Sequence, residues 1–232
     1  KSSVGIFSGV LINSILNGVS VYSNQSSSQS EASGGLAGIV LGGRFTGINI
    51  EVAKINGISN SGGFAGVIEG KSISILNDIV DAPIDVVAIS DLSLKMLEDQ
   101  DSIGFGGVAK QAHDLSIESA VVELKKITNI EHHTGGLFGF AEELELHNSE
   151  VILNDNFVGA DVCNNKAGRI GAAFGELMDS EVGNLSIEVN YKSMNLNDCK
   201  NVGMVAGKVS DSNFSNIDVK NAKELNGHSL VG

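Results

Sequence analysis

Apolar residues recur along this chain in a fixed phrase, not at helical spacing. Two stand two apart and a third stands three earlier: Leu16, Val19, Val21; Phe45, Ile48, Ile50; Val182, Leu185, Ile187; Phe214, Ile217, Val219. Partial copies fall at Ile73 with Leu76, at Leu115 with Ile117, and at Leu146 with Val151. A spacing of two puts the last pair of each phrase on one face of a strand. Most of these residues are Val and Ile, whose branched Cβ suits a pleated surface. Helical spacing over a dozen residues is absent, and only short runs such as Leu92 to Glu98 hint at it.

Each phrase follows a glycine motif. Clear copies are Gly34-Gly35-Leu36-Ala37-Gly38, Gly62-Gly63-Phe64-Ala65-Gly66 and Gly135-Gly136-Leu137-Phe138-Gly139, with looser copies at Gly5 to Gly9, Gly104 to Gly107, Gly171 to Gly175 and Gly203 to Gly207. In the four full phrases the apolar residues lie seven, ten and twelve positions after the last motif glycine, and the partial Leu115–Ile117 copy runs one residue late. A repeat of about thirty residues is read as one supersecondary unit stacked on its neighbours. Propeller blades need recurring tight hairpin turns, and no Asn-Gly turn recurs in step with the motif. The sequence therefore predicts an all-β chain folded as a parallel β-helix, a β-solenoid of about seven coils of irregular length. Right-handed coiling is the default for parallel crossovers. Glycine recurs because a corner demands positive φ or a backbone approach that Cβ obstructs.

Residues 1–232 read as one elongated domain with polar excursions at 23–33, 77–102 and 154–166. The second is expected to hold an extra strand, Ile84 to Ile89, and then a short helix or turn near Leu92 to Glu98. The chain opens without methionine and stops inside a motif copy, Leu230-Val231-Gly232, so it reads as part of a larger protein with further repeats beyond it.

Composition adjusts this picture in three ways. A single proline fits strands that donate to neighbours on both sides. Aromatics at 5% suggest an interior filled by aliphatic side chains. The formal charge of −13 offers no basic stripe for phosphate, which argues against nucleic acid and anionic membranes as partners, and no eighteen-residue apolar run predicts membrane insertion.

The motif G-G-L-[AVF]-G followed by a polar stretch and an I-x-[IV] strand resembles the GLUG repeat of bacterial surface and secreted proteins. Gly34 to Gly38 with Ile48 and Ile50, Gly62 to Gly66 and Gly135 to Gly139 carry the resemblance. Ala172, Ala173 and Met204 depart from it. The resemblance implies a stalk or adhesive region at the cell surface or outside the cell, with a protein or glycan on a cell or matrix surface as partner.

Candidate chemistry is sparse. Asp78, Asp81 and Asp85, with Asp99 and Asp101, are the tentative binding residues, because an acidic excursion is where repeat proteins commonly carry function. Paired carboxylates also serve glycoside hydrolysis, so a β-helical carbohydrate-active enzyme, or a noncatalytic segment of one, is the alternative to a non-enzymatic adhesin-like stalk. Calcium is the one cofactor weighed, for Glu98, Asp99, Asp101 and for Asn154, Asp155, Asn156, Asp161, but neither group has EF-hand spacing and both read as solvated loops. Glu131-His132-His133 with Glu142 and Glu143 has zinc-type ligands without zinc-type spacing, and reads as a solvated loop as well. Cys163 and Cys199 sit shortly before two motif copies and are weighed as a disulfide against two separate thiols.

Overall fold

The computed structural model describes residues 2–24, 26–27, 30–56, 59–71, 84–101, 104–128, 133–155, 157–158, 168–190, 193–221 and 224–231. Among them every regular element is a β-strand and every strand pairing is parallel. Partners lie one repeat apart. The first motif glycines form a single ladder, Gly5, Gly34, Gly62, Gly106, Gly135, Gly171 and Gly203. The apolar phrases form another, with Leu16, Phe45, Ile89, Ile117, Leu146, Val182 and Phe214 paired in order.

The expected β-solenoid is overturned. The strands make a closed six-stranded parallel barrel together with a parallel sheet, and a closed barrel is not a solenoid of separate coils. The pairing ring runs through Ala37–Val52, Ala65–Glu69, Ala109–Ile117, Phe138–Leu153, Ala120–Thr128 and Val87–Asp101, and returns to its start. The reason lies in strand length. Ala37–Val52, Val87–Asp101 and Phe138–Leu153 have 16, 15 and 16 residues and stay hydrogen-bonded while they bend, so each pairs with two successive strands on one side. Short strands joined by loops, as the glycine corners suggested, would leave that ring open.

Left-handed residues recur at two positions of the repeat, both of them filled in five of the seven copies. One holds Asn13, Gly42, Asp114, Glu143, Asp179 and Asp211, and the other holds Gly18, Gly47, Asp91, Asn148, Asn184 and Asn216, with φ between 42° and 65°. Glycine, asparagine and aspartate tolerate this region, whereas glutamate rarely enters it, so Glu143 is the strained member. The motif glycines themselves are tight for another reason. A Cβ on Gly171 would fall 2.7 Å from the Ala206 Cα and 2.8 Å from the Val205 oxygen.

Three further expectations change. The fourth motif is Gly106-Gly107-Val108-Ala109-Lys110, two residues later than expected, so Ile117, Ala120 and Val122 fall in the same seven, ten, twelve register as the other phrases. The third phrase is Ile89, Leu92, Leu94, aligned on Phe45, Ile48 and Ile50, while Ile73 and Leu76 lie outside the described residues. Gly62 and Gly106 are 44 residues apart against 28 for Gly34 and Gly62, and the extra length falls between Glu69 and Val87. Leu92 to Glu98 is strand, not helix: Leu92, Leu94 and Met96 are buried and Ser93 and Lys95 exposed, a period of two.

One core runs through the repeats, from Leu11 and Val21 to Val189 and Val202. Its largest fully buried side chains are Phe45, Phe64, Phe105, Phe138 and Phe174, so few aromatics did not mean an aliphatic interior. Phe138 and Phe174 stack with ring centroids 6.4 Å apart, and Phe45 meets Phe64 edge to face at 5.3 Å. Nor is the 23–33 stretch wholly a polar loop. Ser30 and Ser33 are buried with their hydroxyls 2.8 Å apart, and Ser26–Ser27 pairs with Ile55–Asn56. Among the described residues no helix is long and apolar enough to cross a membrane.

Two substitutions of opposite sign test this reading. Gly171→Ala should lose about 3 kcal/mol in chemical denaturation, because backbone on the next strand blocks the new methyl. Glu143→Gly should gain about 1 kcal/mol by relieving the left-handed strain. Equal midpoints for both variants and the parent would contradict the close-approach account.

Candidate functional site

Because successive repeats pair in register, side chains at one offset form a row along the surface. The most conspicuous row is acidic. Asp114, Glu143, Asp179 and Asp211 occupy the first left-handed corner of four successive repeats, and they line a groove of about 560 Å³ with Glu145 and Glu181 beside them. Register fixes their alignment, since His113 pairs with Glu142 and Leu115 with Leu144 on either side of the first pair. The Lys71 backbone N–H donates to Asp114 Oδ2 at 2.7 Å at one end of the groove. Neighbouring strands stand about 4.8 Å apart, so these like charges add into a negative stripe.

One position back from that corner, Glu69, His113 and Glu142 form a second row. His113 Nε2 lies 3.4 Å from Glu142 Oε2, and its Nδ1 lies 3.8 Å from Glu143 Oε2. Glu69 is buried, and burial pushes its carboxyl up to about 7; His113 works against that shift and Glu142 adds to it. A carboxyl that titrates near neutrality beside a second carboxylate and an imidazole is able to exchange protons.

A third cluster centres on Glu176, which is buried. Its Oε2 accepts from His133 Nε2 at 2.9 Å and from Arg169 Nη1, and its Oε1 accepts from Lys208 Nζ at 2.8 Å. His133 Nε2 and Arg169 Nη1 lie 3.0 Å apart, and the His133 ring meets Phe140 edge to face. His133 is thus part of a polar network around Glu176, not the solvated loop expected of it; Glu131 and His132 lie outside the described residues.

Asparagine makes two more rows. Asn216 donates to Asn184, Asn184 to Asn148, and Asn148 to Glu118, at 2.9, 2.9 and 3.0 Å. Asn221, Asn190, Asn154 and Glu123 repeat the arrangement, so Asn154 belongs to a structural ladder. Such chains satisfy amides that left-handed corners would leave to solvent.

The candidate binding residues chosen from sequence are not brought together. Asp78 and Asp81 lie outside the described residues. Asp85 is exposed just before the strand Val87–Asp101, where its backbone N–H donates to Asn13 Oδ1 at 3.1 Å. Asp99 lies near the other end of that strand, 3.6 and 3.8 Å from the Lys125 and Lys126 ammonium groups, and Asp101 ends it. Cys163 lies outside the described residues, as does the side chain of Cys199, and with them the disulfide. Among the described residues no three His, Cys, Asp or Glu side chains converge as a metal site, and the calcium candidates Asp155 and Asp99 stand in different repeats. The acidic row escaped a sequence reading because its members are about thirty residues apart. Their signal was present as an Asn, Gly, Asp or Glu four positions after each last motif residue.

The Glu69 carboxyl sets a pH dependence. Its folded value is raised above an unfolded value of 4.5, so its protonated form is favoured by folding. Stability is undiminished below about 4.5, falls as pH rises towards 7, and stays lower above that, by about 3 kcal/mol in full. Glu69→Gln should therefore gain on the parent between pH 5 and pH 8 in urea denaturation; parallel stability curves would contradict the burial account. The chain matches no family profile, no curated protein and no solved structure.

Proposed function

We propose that this chain is a non-enzymatic attachment region, acting outside the cell or at its surface, that holds an extended partner along its rows of side chains. The observation that carries this reading is the layout of the chemistry: acidic groups are set out one per repeat along a groove, amides one per repeat in rows of their own, and they do not converge on one point. A row with a repeat of about 4.8 Å suits a polymer that makes the same contact several times, and weak contacts then add through multivalency. Resemblance of the glycine motif to GLUG repeats points the same way, towards a glycan or a protein on a cell or matrix surface.

A second reading has one observation behind it. Burial pushes the Glu69 carboxyl up to about 7, Glu69 shares a row with Glu142, and glycoside cleavage uses a pair of carboxyl groups of which one is kept protonated. The purified chain is incubated with immobilised glycans and matrix proteins, and both retained protein and newly released reducing ends are recorded. Retention without product is expected, and Asp114→Asn with Asp179→Asn should reduce it severalfold at unchanged melting temperature. Product release that Glu69→Gln abolishes would replace the attachment reading with the enzymatic one.

A further inference from the structure

The last motif glycine has one exception, and the exception is charged. Gly38, Gly66, Gly139, Gly175 and Gly207 hold this place in their repeats, while Lys110 holds it in the fourth. Elsewhere the place is closed to a side chain. A Cβ on Gly66 would lie 2.7 Å from the Asn60 oxygen and the Ser33 nitrogen, and one on Gly139 would lie 2.6 Å from the His133 oxygen. The residue beside Lys110 is also changed: it is Gly104, and a Cβ there would stand 2.9 Å from the Lys110 Cε, so a side chain at 104 would collide with the lysine stem. A lysine here and a glycine opposite it make a matched pair that core packing does not require.

What surrounds that lysine gives it a use. Gly104 is followed in the next two repeats by His133 and Arg169 in the same ladder, since Phe105, Thr134 and Ile170 are paired. The facing ladder, one position beyond Lys110, reads Gln111, Phe140, Glu176 and Lys208. Lys110, His133, Arg169 and Lys208 thus stand in four successive repeats along one seam, with Glu176 as the single carboxylate among them in the described residues; Glu69 and Glu142 stand two positions further along the same strands. Glu176 neutralises one charge. Arg169 Nε remains a buried donor without an acceptor, and Lys110 forms no ion pair among the described residues. Burial also pushes the Lys110 ammonium down from its ordinary range, as expected of a cation with no counter-charge.

We propose that the seam from Lys110 to Lys208 is a binding site for a sulfate-type oxyanion, free or as the ester group of a saccharide. Arg169 and Lys110 supply donors, and Lys208 with His133 keeps Glu176 occupied so that it does not repel the ligand. A permanently ionised oxyanion suits a site whose own carboxylate is fully engaged. The seam is a different row from the acidic groove, and the inference does not depend on the attachment reading.

The test titrates the full chain, at low ionic strength, with sodium sulfate, with a sulfated disaccharide and with the same disaccharide unsulfated, following the backbone amides of Lys110, His133 and Arg169 by NMR. Saturable shifts with the first two and none with the third are expected. Tighter binding of the sulfated sugar than of free sulfate would make the ester the ligand; equal binding would make it the free ion. Lys110→Gly restores the motif residue, so it should fold at least as well as the parent while binding about tenfold more weakly, and Lys110→Gln should weaken binding similarly. Absence of saturable shifts, equal response to the unsulfated sugar, or unchanged affinity in Lys110→Gly would overturn the proposal.

Discussion

Backbone meets backbone at the first glycine of every motif, and the rest of the structure is arranged to keep that contact. The residue after that glycine carries a hydrogen bond to the next repeat: Gly35 donates to the Gly63 oxygen at 2.9 Å, Gly63 to Gly107 at 2.7 Å and Gly136 to Ala172 at 2.9 Å. The first glycine is present in all seven copies because a methyl there would run into backbone, on the next strand for the first six and at Ala206 for Gly203. The second place is less strict, and Ala172 fills it, fully buried. With that contact fixed, register is fixed, and a one-residue slip would turn the whole apolar phrase outward.

Register then decides both the core and the surface. Inside, the phrase residues other than the exposed Phe214 stack with the phenylalanines of the motifs into one continuous apolar core. Outside, any side chain that recurs at a given offset becomes a row. Electrostatics differ from row to row: an acidic groove at the first corner, asparagine chains at two other positions, and a basic seam at the place where Lys110 replaces glycine. Net charge describes none of these. A chain at −13 carries a local cluster of two cationic side chains and an imidazole around one buried carboxylate.

Much of this was legible in the sequence, but unevenly. The parallel stacking of repeats follows from the spacing of glycine and apolar residues, and the all-β content with it. Closure of the pairing into a six-stranded barrel did not follow, because it depends on long strands bending without breaking, at corners built from Asn13, Asp114 and Glu143 as well as glycine. The misplaced third phrase has a simple cause. Ile73 and Leu76 stand at the right distance from Gly66, and the true match, Ile89, Leu92 and Leu94, lies beyond an insertion that the offset rule cannot cross. Leu92 to Glu98 looked helical only while its period-two burial was unknown. Among candidate residues, Asp85 and Asp99 were picked for proximity in sequence, whereas this fold joins residues one repeat apart; Glu69, His113 and Glu142 are the example.

The most direct measurement is of inter-strand NOEs in the intact chain. The account predicts parallel contacts linking Ile117 to Leu146 and Leu146 to Val182, together with Gly106 to Gly135 and Gly135 to Gly171. Contacts between sequence neighbours across antiparallel hairpins, or the same contacts displaced by one residue, would contradict it.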